Sequence, residues 1–247
     1  MTGLAILLLI AAIATIVILS GVIAYDAVHP PRRTAGYAIA HGLPADPGDM
    51  GLDYEDWTLD LPRDVKLPVW EITARGSGPT AVFVHGWGQS RIEMLTRLEP
   101  WLDHARRVVL YDRRGHGDAT GGTARLGTDE HNDLMDLLER LGTEPVVLVG
   151  FGSGATVAIA AAADVSGDLR VAAYGVTADA HTAIGDRLRA RGLPARPLTD
   201  LAMIWLRLGG IRMRDEQQDK RRLQHPLLID PEPSDLSSGP MCGSKPL

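Results

Sequence analysis

The chain has 247 residues, 25 of them Lys or Arg and 31 Asp or Glu, for a net charge of −6. That length suits one domain with attachments. The acidic balance puts nucleic-acid binding last, because phosphate neutralisation needs a basic face. A lone cysteine, Cys242, excludes an intramolecular disulfide and any multi-thiolate metal site. No metal or cofactor is expected.

The first 25 residues carry no charged side chain, and 19 of the 23 residues in 3–25 are hydrophobic. As a helix this stretch spans about 35 Å at ~1.5 Å per residue, enough for a ~30 Å hydrocarbon core. Its 13 Leu, Ile and Val residues favour insertion by roughly 4–8 kcal/mol. A cleaved signal peptide would want a basic leader and a shorter core. The segment 1–25 is therefore read as a single-pass transmembrane anchor with the bilayer as its partner. Arg32 and Arg33 follow the span and no basic residue precedes it, which favours a cytoplasmic domain.

Residues 26–54, rich in Pro, Gly and Asp, read as a semi-extended linker. Strands are predicted at 69–73, 81–85, 107–112, 145–150, 169–176 and 226–229. Ser90 is expected to cap a helix ending near Ala105, and Thr128 one carrying Leu134, Leu137, Leu138 and Leu141. Residues 156–163 form an Ala-rich helix. In 199–208, Leu201, Ile204, Trp205 and Leu208 share one face, stopped by Gly209-Gly210. Strands alternating with helices imply an α/β fold: a mainly parallel sheet with helices on both faces. The domain covers 55–229. Ten of the residues 230–247 are Pro, Ser or Gly, which reads as a disordered tail.

Three loops follow predicted strands: His85-Gly86-Trp87-Gly88, then Tyr111-Asp112-Arg113-Arg114-Gly115-His116-Gly117, then Gly150-Phe151-Gly152-Ser153-Gly154-Ala155. In this order they resemble the α/β-hydrolase superfamily over about 57–229, and with the apolar leader they resemble its membrane-anchored bacterial members. The resemblance implies a serine hydrolase of the esterase or lipase-like class, acting on ester, amide or thioester bonds. It implies an oxyanion loop after strand 3, a D-x-R-G-x-G turn after strand 4 and a nucleophile elbow after strand 5. On this pattern His85 and Gly86 order the first loop. Asp112, Arg114, Gly115 and Gly117 brace the second, and His116 belongs to that same turn. Gly150, Gly152 and Gly154 form the elbow. The backbone N–H groups of Trp87 and Ser153 would be the oxyanion donors, facing a small acyl or carboxylate ligand.

The same pattern puts Gly152 where the nucleophilic serine belongs, between the small flanks Gly150 and Gly154. Ser153 is the alternative nucleophile, flanked by Phe151 and Ala155, and Phe151 is too large for that position. The family's acid would fall near Asp235, for which a solvated tail carboxylate is the competing reading. No histidine follows His225, which itself precedes the strand after which the acid falls. Asp179 and His181 are read as a helix start. The expectation is therefore a catalytically impaired or truncated esterase-like protein whose sheet lacks its last strand, with self-association through the exposed edge at 226–229. Two other readings remain: an active hydrolase of esters or thioesters using Ser153, and a nucleotide-binding oxidoreductase through Gly150-x-Gly152-x-x-Ala155. The interval 187–222 carries ten basic and four acidic residues. It reads as a solvated arginine face on core-packed helices, with contact to anionic headgroups as the alternative.

Overall fold

A computed structural model describes residues 2–142, 145–176, 179–212, 219 and 221–229. Seven strands form one sheet: β1 (Tyr54–Leu61), β2 (Val65–Thr73), β3 (Thr80–Val84), β4 (Arg107–Tyr111), β5 (Val146–Phe151), β6 (Leu169–Tyr174) and β7 (Leu227–Ile229). Their order is β1-β2-β4-β3-β5-β6-β7. β1 pairs antiparallel with β2 and β2 with β4; every pairing from β4 to β7 is parallel. β3 and β5 are buried along their whole length, as strands covered by helices on both faces must be. The α/β sheet is as expected, and it has seven strands rather than the six predicted. β1 escaped the sequence reading because its residues, Tyr-Glu-Asp-Trp-Thr-Leu-Asp-Leu, are half acidic or polar and only Leu59 is buried.

The order disposes of the dinucleotide reading. That fingerprint belongs to the first βα turn of a doubly wound sheet. Here Gly150 ends a strand that follows an antiparallel β1–β2 hairpin and sits between β3 and β6.

One core layer carries α5 (Thr128–Leu141) and α6 (Ser153–Ala162), with Leu134, Leu137, Ala158 and Ile159 packed on Leu148 and Val171. The other carries α3 (Arg91–Leu95) and α4 (Glu99–Leu102), with Ile92, Leu95 and Trp101 around Phe83 and Val149. The single helix expected from Ser90 to Ala105 is split at 96–98, because Pro100, in the first turn of α4, has no N–H to give to the carbonyl four residues before it. Ser90 stands at the start of α3 as expected, and the Glu93 carboxylate accepts its N–H at 2.8 Å and its hydroxyl at 3.1 Å. Thr128 is not the cap of α5 but its first residue. Gly127 precedes it at φ 107°, and Glu130 accepts the Gly127 N–H at 2.8 Å and the Arg125 N–H at 2.6 Å. At the start of α7 (Ala180–Ala190), Asp179 caps through the Thr182 N–H at 2.6 Å, and His181 Nε2 lies 2.9 Å from Asp200.

The apolar leader forms α1 (Thr2–Val28), long and apolar enough to cross a membrane. Its last turns pack on α7 and on α8 (Leu198–Leu208), sharing a cluster of Ala24, Ala27, Ile184, Leu188, Ala202 and Leu206. In α8 the face expected from the sequence is the outer one: Leu198, Ala202, Met203 and Leu206 are buried, while Ile204, Trp205 and Leu208 are exposed. Residues 26–54 are docked rather than a semi-extended spacer. Ala38 of α2 (Ala35–Ala40) is fully buried, Arg32 donates to the carbonyl of Ala119 at 2.6 Å, and Arg33 pairs with Glu93. Among the described residues β7 pairs on one side only, with β6. The tail 230–247, with Asp235 and Cys242, lies outside the described residues.

Candidate active site

Where β5 runs into α6 the backbone reverses through Gly152, at φ 54° and ψ −120°. That conformation is strained for any L residue. The flanking glycines are required for a different reason. A Cβ on Gly150 would lie 2.4 Å from the Ala155 Cα, and one on Gly154 would lie 2.0 Å from the Val84 carbonyl oxygen. A Cβ on Gly152 would meet nothing within 4 Å. Close packing of strand, turn and helix thus occurs at 150 and 154, and the apex at 152 is open. Phe151 points the other way, its ring stacked on Tyr174 at 5.0 Å with the Arg97 guanidinium 4.6 Å from its centroid.

The apex faces a cavity of about 350 Å³ with largely apolar walls, lined among others by Trp87, Arg113, His116, Ser153, Thr156 and Arg187. Trp87 and Ser153, the two expected oxyanion donors, are therefore in one pocket. Ser153 opens α6, where backbone N–H groups have no partner within the helix. Its hydroxyl accepts from Arg113 Nη1 at 3.2 Å. The same nitrogen donates to the His85 carbonyl at 2.8 Å.

The histidines near the site are held neutral. His85 is fully buried, donates from Nδ1 to the Gly86 carbonyl at 2.9 Å, and accepts the Arg113 N–H at Nε2 at 3.0 Å. Both ring nitrogens are committed. Burial, with His116 and Arg113 beside it, holds its pKa well below the usual imidazole range. His116 lies edge-on to it at 5.1 Å and donates from Nδ1 to the Arg114 carbonyl at 2.9 Å. Burial first, then Arg113, lowers the His116 pKa to about 3. His116 Nε2 is left as an acceptor with no partner among the described residues. His225 lies elsewhere, its Nε2 bonded to the Val165 carbonyl at 2.8 Å.

The turn after β4 is braced from both sides. Asp112 accepts the N–H of Arg91 at 2.8 Å and that of Asp118 at 3.0 Å. Burial raises its pKa to about 6, against the pull of Arg91. Gly117, at φ 47°, must lack a side chain because a Cβ would fall 2.3 Å from the Asp112 carboxyl carbon. Arg114 turns away from the pocket to grip Asp133 at 2.6 Å and Asp129 at 3.1 Å on α5. A Cβ on Gly115 would collide with the Ala124 nitrogen at 2.4 Å.

Three polar residues of the wall carry no motif that marks them in the sequence. Arg113, Thr156 and Arg187 each have a buried polar atom without a partner among the described residues: Nε, Oγ1 and Nη1 respectively. Arg187 comes from α7 and stacks on the Trp87 ring at 3.8 Å. Burial lowers its pKa to about 10, so it stays a cation at neutral pH. Arg113 occupies the variable place in D-x-R-G, so the motif gave it no weight. Arg187 sat unmarked in a basic stretch.

Sheet order, the three loops and the pocket at the end of β5 together define a hydrolase fold, and the chain belongs to the α/β hydrolase family, whose profile matches residues 81–239. Among curated proteins it is similar to an epoxide hydrolase of Caballeronia sordidicola, 29% identical over 115 residues, which is 42% of this chain and 35% of that protein. It is 31% identical over 102 residues to a bifunctional esterase/perhydrolase of Acinetobacter calcoaceticus, covering 41% of this chain and 31% of that one. Such matches span only about a third of the relatives' length. Among solved structures, an esterase of Pyrococcus furiosus superposes with a TM-score of 0.63 at 23% identity, covering 82% of this chain and 75% of that one. A bromoperoxidase of Bacillus anthracis does so with 0.52 at 17% identity, covering 71% and 80%. These two likenesses concern the fold.

Proposed function

We propose that this protein is a membrane-anchored member of the family, of the serine esterase- and lipase-like class, that binds a small acyl or carboxylate ligand in the elbow pocket without turning it over by the serine mechanism. The observation that carries the reading is Gly152 at the apex of the elbow: the backbone makes the strained turn, the space for a side chain is open, and no oxygen is there. Ser153 is a poor substitute. Its hydroxyl receives a hydrogen bond from a guanidinium, which has no lone pair to take a proton. A serine hydroxyl without a base is a weak nucleophile. His85 has no free ring nitrogen, and a His116 detuned to about 3 lies far from the pKa near ambient pH that general-base catalysis favours.

The ligand chemistry follows from the unpartnered atoms. Arg113 Nε, Arg187 Nη1 and the Thr156 hydroxyl can donate, and on the family pattern the N–H groups of Trp87 and Ser153, which also line the pocket, would be the oxyanion donors. Buried polar groups are normally satisfied, so such a cluster in an apolar cavity favours an anionic head on an apolar chain. The span read from residues 3–25 is the anchor, and the arginines after it favour a cytoplasmic domain.

The test is labelling of the full-length protein in detergent with a fluorophosphonate probe, read by peptide mass spectrometry, beside calorimetric titration with octanoate. The expected result is no adduct on any serine and saturable octanoate binding that Arg113→Met or Arg187→Met weakens at least tenfold. A stoichiometric adduct on Ser153 would overturn the reading in favour of an esterase with a shifted nucleophile.

A further inference from the structure

Much of the outer face of α8 is left uncovered by the described residues, and its chemistry is unusual for one left open. Ile204 is 50% exposed, Trp205 44% and Leu208 76%. The inner face of the same helix is packed on α1 and α7. Asp200 and Arg207 are the helix's only charged residues. A helix apolar on both faces belongs in a core or in lipid, whereas a water-facing helix has one polar side.

The neighbour of that open face identifies what covers it. α8 lies against the last turns of α1, and the Trp205 indole donates to the Ser20 hydroxyl at 3.1 Å. The exposed surface of α1 is apolar as well, from Leu4 to Tyr25, so the two helices present one continuous apolar surface. Ser20 precedes Asp26, the first charged residue, by six positions. At ~1.5 Å per residue Trp205 therefore sits roughly 9 Å deeper than the charged end of the span. Helices lying in a membrane interface carry their apolar face about 5–10 Å below the headgroup boundary, often with a tryptophan there. Exposed arginines flank α8 along the chain: Arg191 and Arg196 between α7 and α8, and Arg212 beyond α8. They suit the headgroups of anionic lipids.

We infer that α8 is a second membrane-contacting element: Ile204, Trp205 and Leu208 enter the lipid leaflet beside the end of α1. The inference rests on the reading of α1 as a membrane span. It also brings the ligand pocket to headgroup level, because Trp87 of the pocket wall donates from Nε1 to the carbonyl of Ala27 at 2.9 Å.

The experiment uses full-length protein with Cys242→Ser, reconstituted in vesicles of phosphatidylcholine with a minor fraction of phosphatidylglycerol. Single cysteines are introduced as Leu208→Cys, Leu7→Cys on the span and Glu55→Cys on the exposed edge of β1, and each is labelled with NBD. Doxyl-labelled lipid is the quencher. The expected result is blue-shifted emission and strong quenching at positions 208 and 7, with neither at 55. If position 7 is quenched while 208 behaves like 55, the span stands and the α8 inference is overturned. If both 7 and 208 behave like 55, the membrane reading itself fails. Blue-shifted emission at 208 that doxyl lipid does not quench would assign the face to a protein partner such as a second copy, which also overturns the inference.

Discussion

The Trp87 indole joins the oxyanion loop to the apolar leader: its Nε1–H donates to the carbonyl of Ala27, 2.9 Å away, at the last turn of α1. The same ring carries the Arg187 guanidinium at 3.8 Å. One side chain thus ties together the leader, the pocket wall and α7. The Ala27 carbonyl is among the last four of its helix, which lack intrahelical donors. Trp87→Phe keeps an aromatic face but removes the donor and weakens the cation–π contact. It should lower stability by about 1–2 kcal/mol, read from the urea midpoint of full-length protein in detergent. An unchanged midpoint would mean that the joint contributes nothing to the docking of α1.

The three elbow glycines should respond unequally to a methyl group. At Gly154 a Cβ overlaps the Val84 carbonyl oxygen at 2.0 Å, and at Gly150 it overlaps the Ala155 backbone at 2.4 Å. Neither neighbour is a flexible side chain, so Gly150→Ala and Gly154→Ala should each cost about 3 kcal/mol or more, or abolish folding. At Gly152 the penalty comes from the positive φ alone, about 1–2 kcal/mol. Urea midpoints for the three alanine variants check the ranking. A Gly152→Ala variant as damaged as the other two would contradict the open apex.

Buried histidines and aspartates oppose one another in the acid response. The folded pKa values of His85 and His116 lie below the unfolded value, in the second case at about 3, while that of Asp112 is raised to about 6. Each depressed histidine contributes stability that is complete above about pH 6.5 and is lost as pH falls. The raised aspartate acts oppositely, favouring the fold at acid pH and losing that contribution as pH rises through 6. Between about pH 4 and 6 the unfolded chain holds roughly one extra proton at position 116, because folded His116 stays neutral down to about pH 3. That proton is worth about 1.4 kcal/mol of stability lost per pH unit on acidification. His116→Gln removes one histidine term and should flatten this slope by about that amount. Urea unfolding of both proteins across the range measures it, and equal slopes would refute the assignment to His116.

Much of the fold was legible because it rests on local constraints. Short β-branched apolar runs such as Val146–Phe151, bounded by Pro and Gly, suit strands covered on both faces, and the glycines at 150, 154, 115 and 117 stand where backbone or a carboxylate leaves no room for a Cβ. Those features are written in residue type and spacing. β1 was not legible, because an edge strand with one wet face looks like a polar loop. The orientation of α8 was not legible either: periodicity finds a face but does not say whether protein or something else covers it. Arg113 and Arg187 joined the pocket through tertiary packing, since the turn after β4 and helix α7 meet only across the end of the sheet.

Gly152→Ser would place a hydroxyl at the open apex, beside the pocket that Trp87 and Ser153 line. The hydroxyl alone does not make a hydrolase. His85 has both ring nitrogens in hydrogen bonds, and His116, held at about 3, is neutral and a weak proton acceptor at neutral pH. When the histidine of a serine triad is removed, rates typically fall by about 10⁶, leaving roughly 10³–10⁴ over water from the oxyanion hole and binding. The variant should therefore hydrolyse p-nitrophenyl octanoate only slightly above the wild-type chain and react with fluorophosphonate at least about 10³-fold more slowly than a complete triad would. The measurement is the second-order labelling rate of the Gly152→Ser protein, with octanoate as competitor to show that the adduct forms in the pocket. Slow labelling that octanoate suppresses would match a recognition site without a base. Fast, stoichiometric labelling would reveal a proton acceptor supplied by another part of the chain and return the protein to the working esterases.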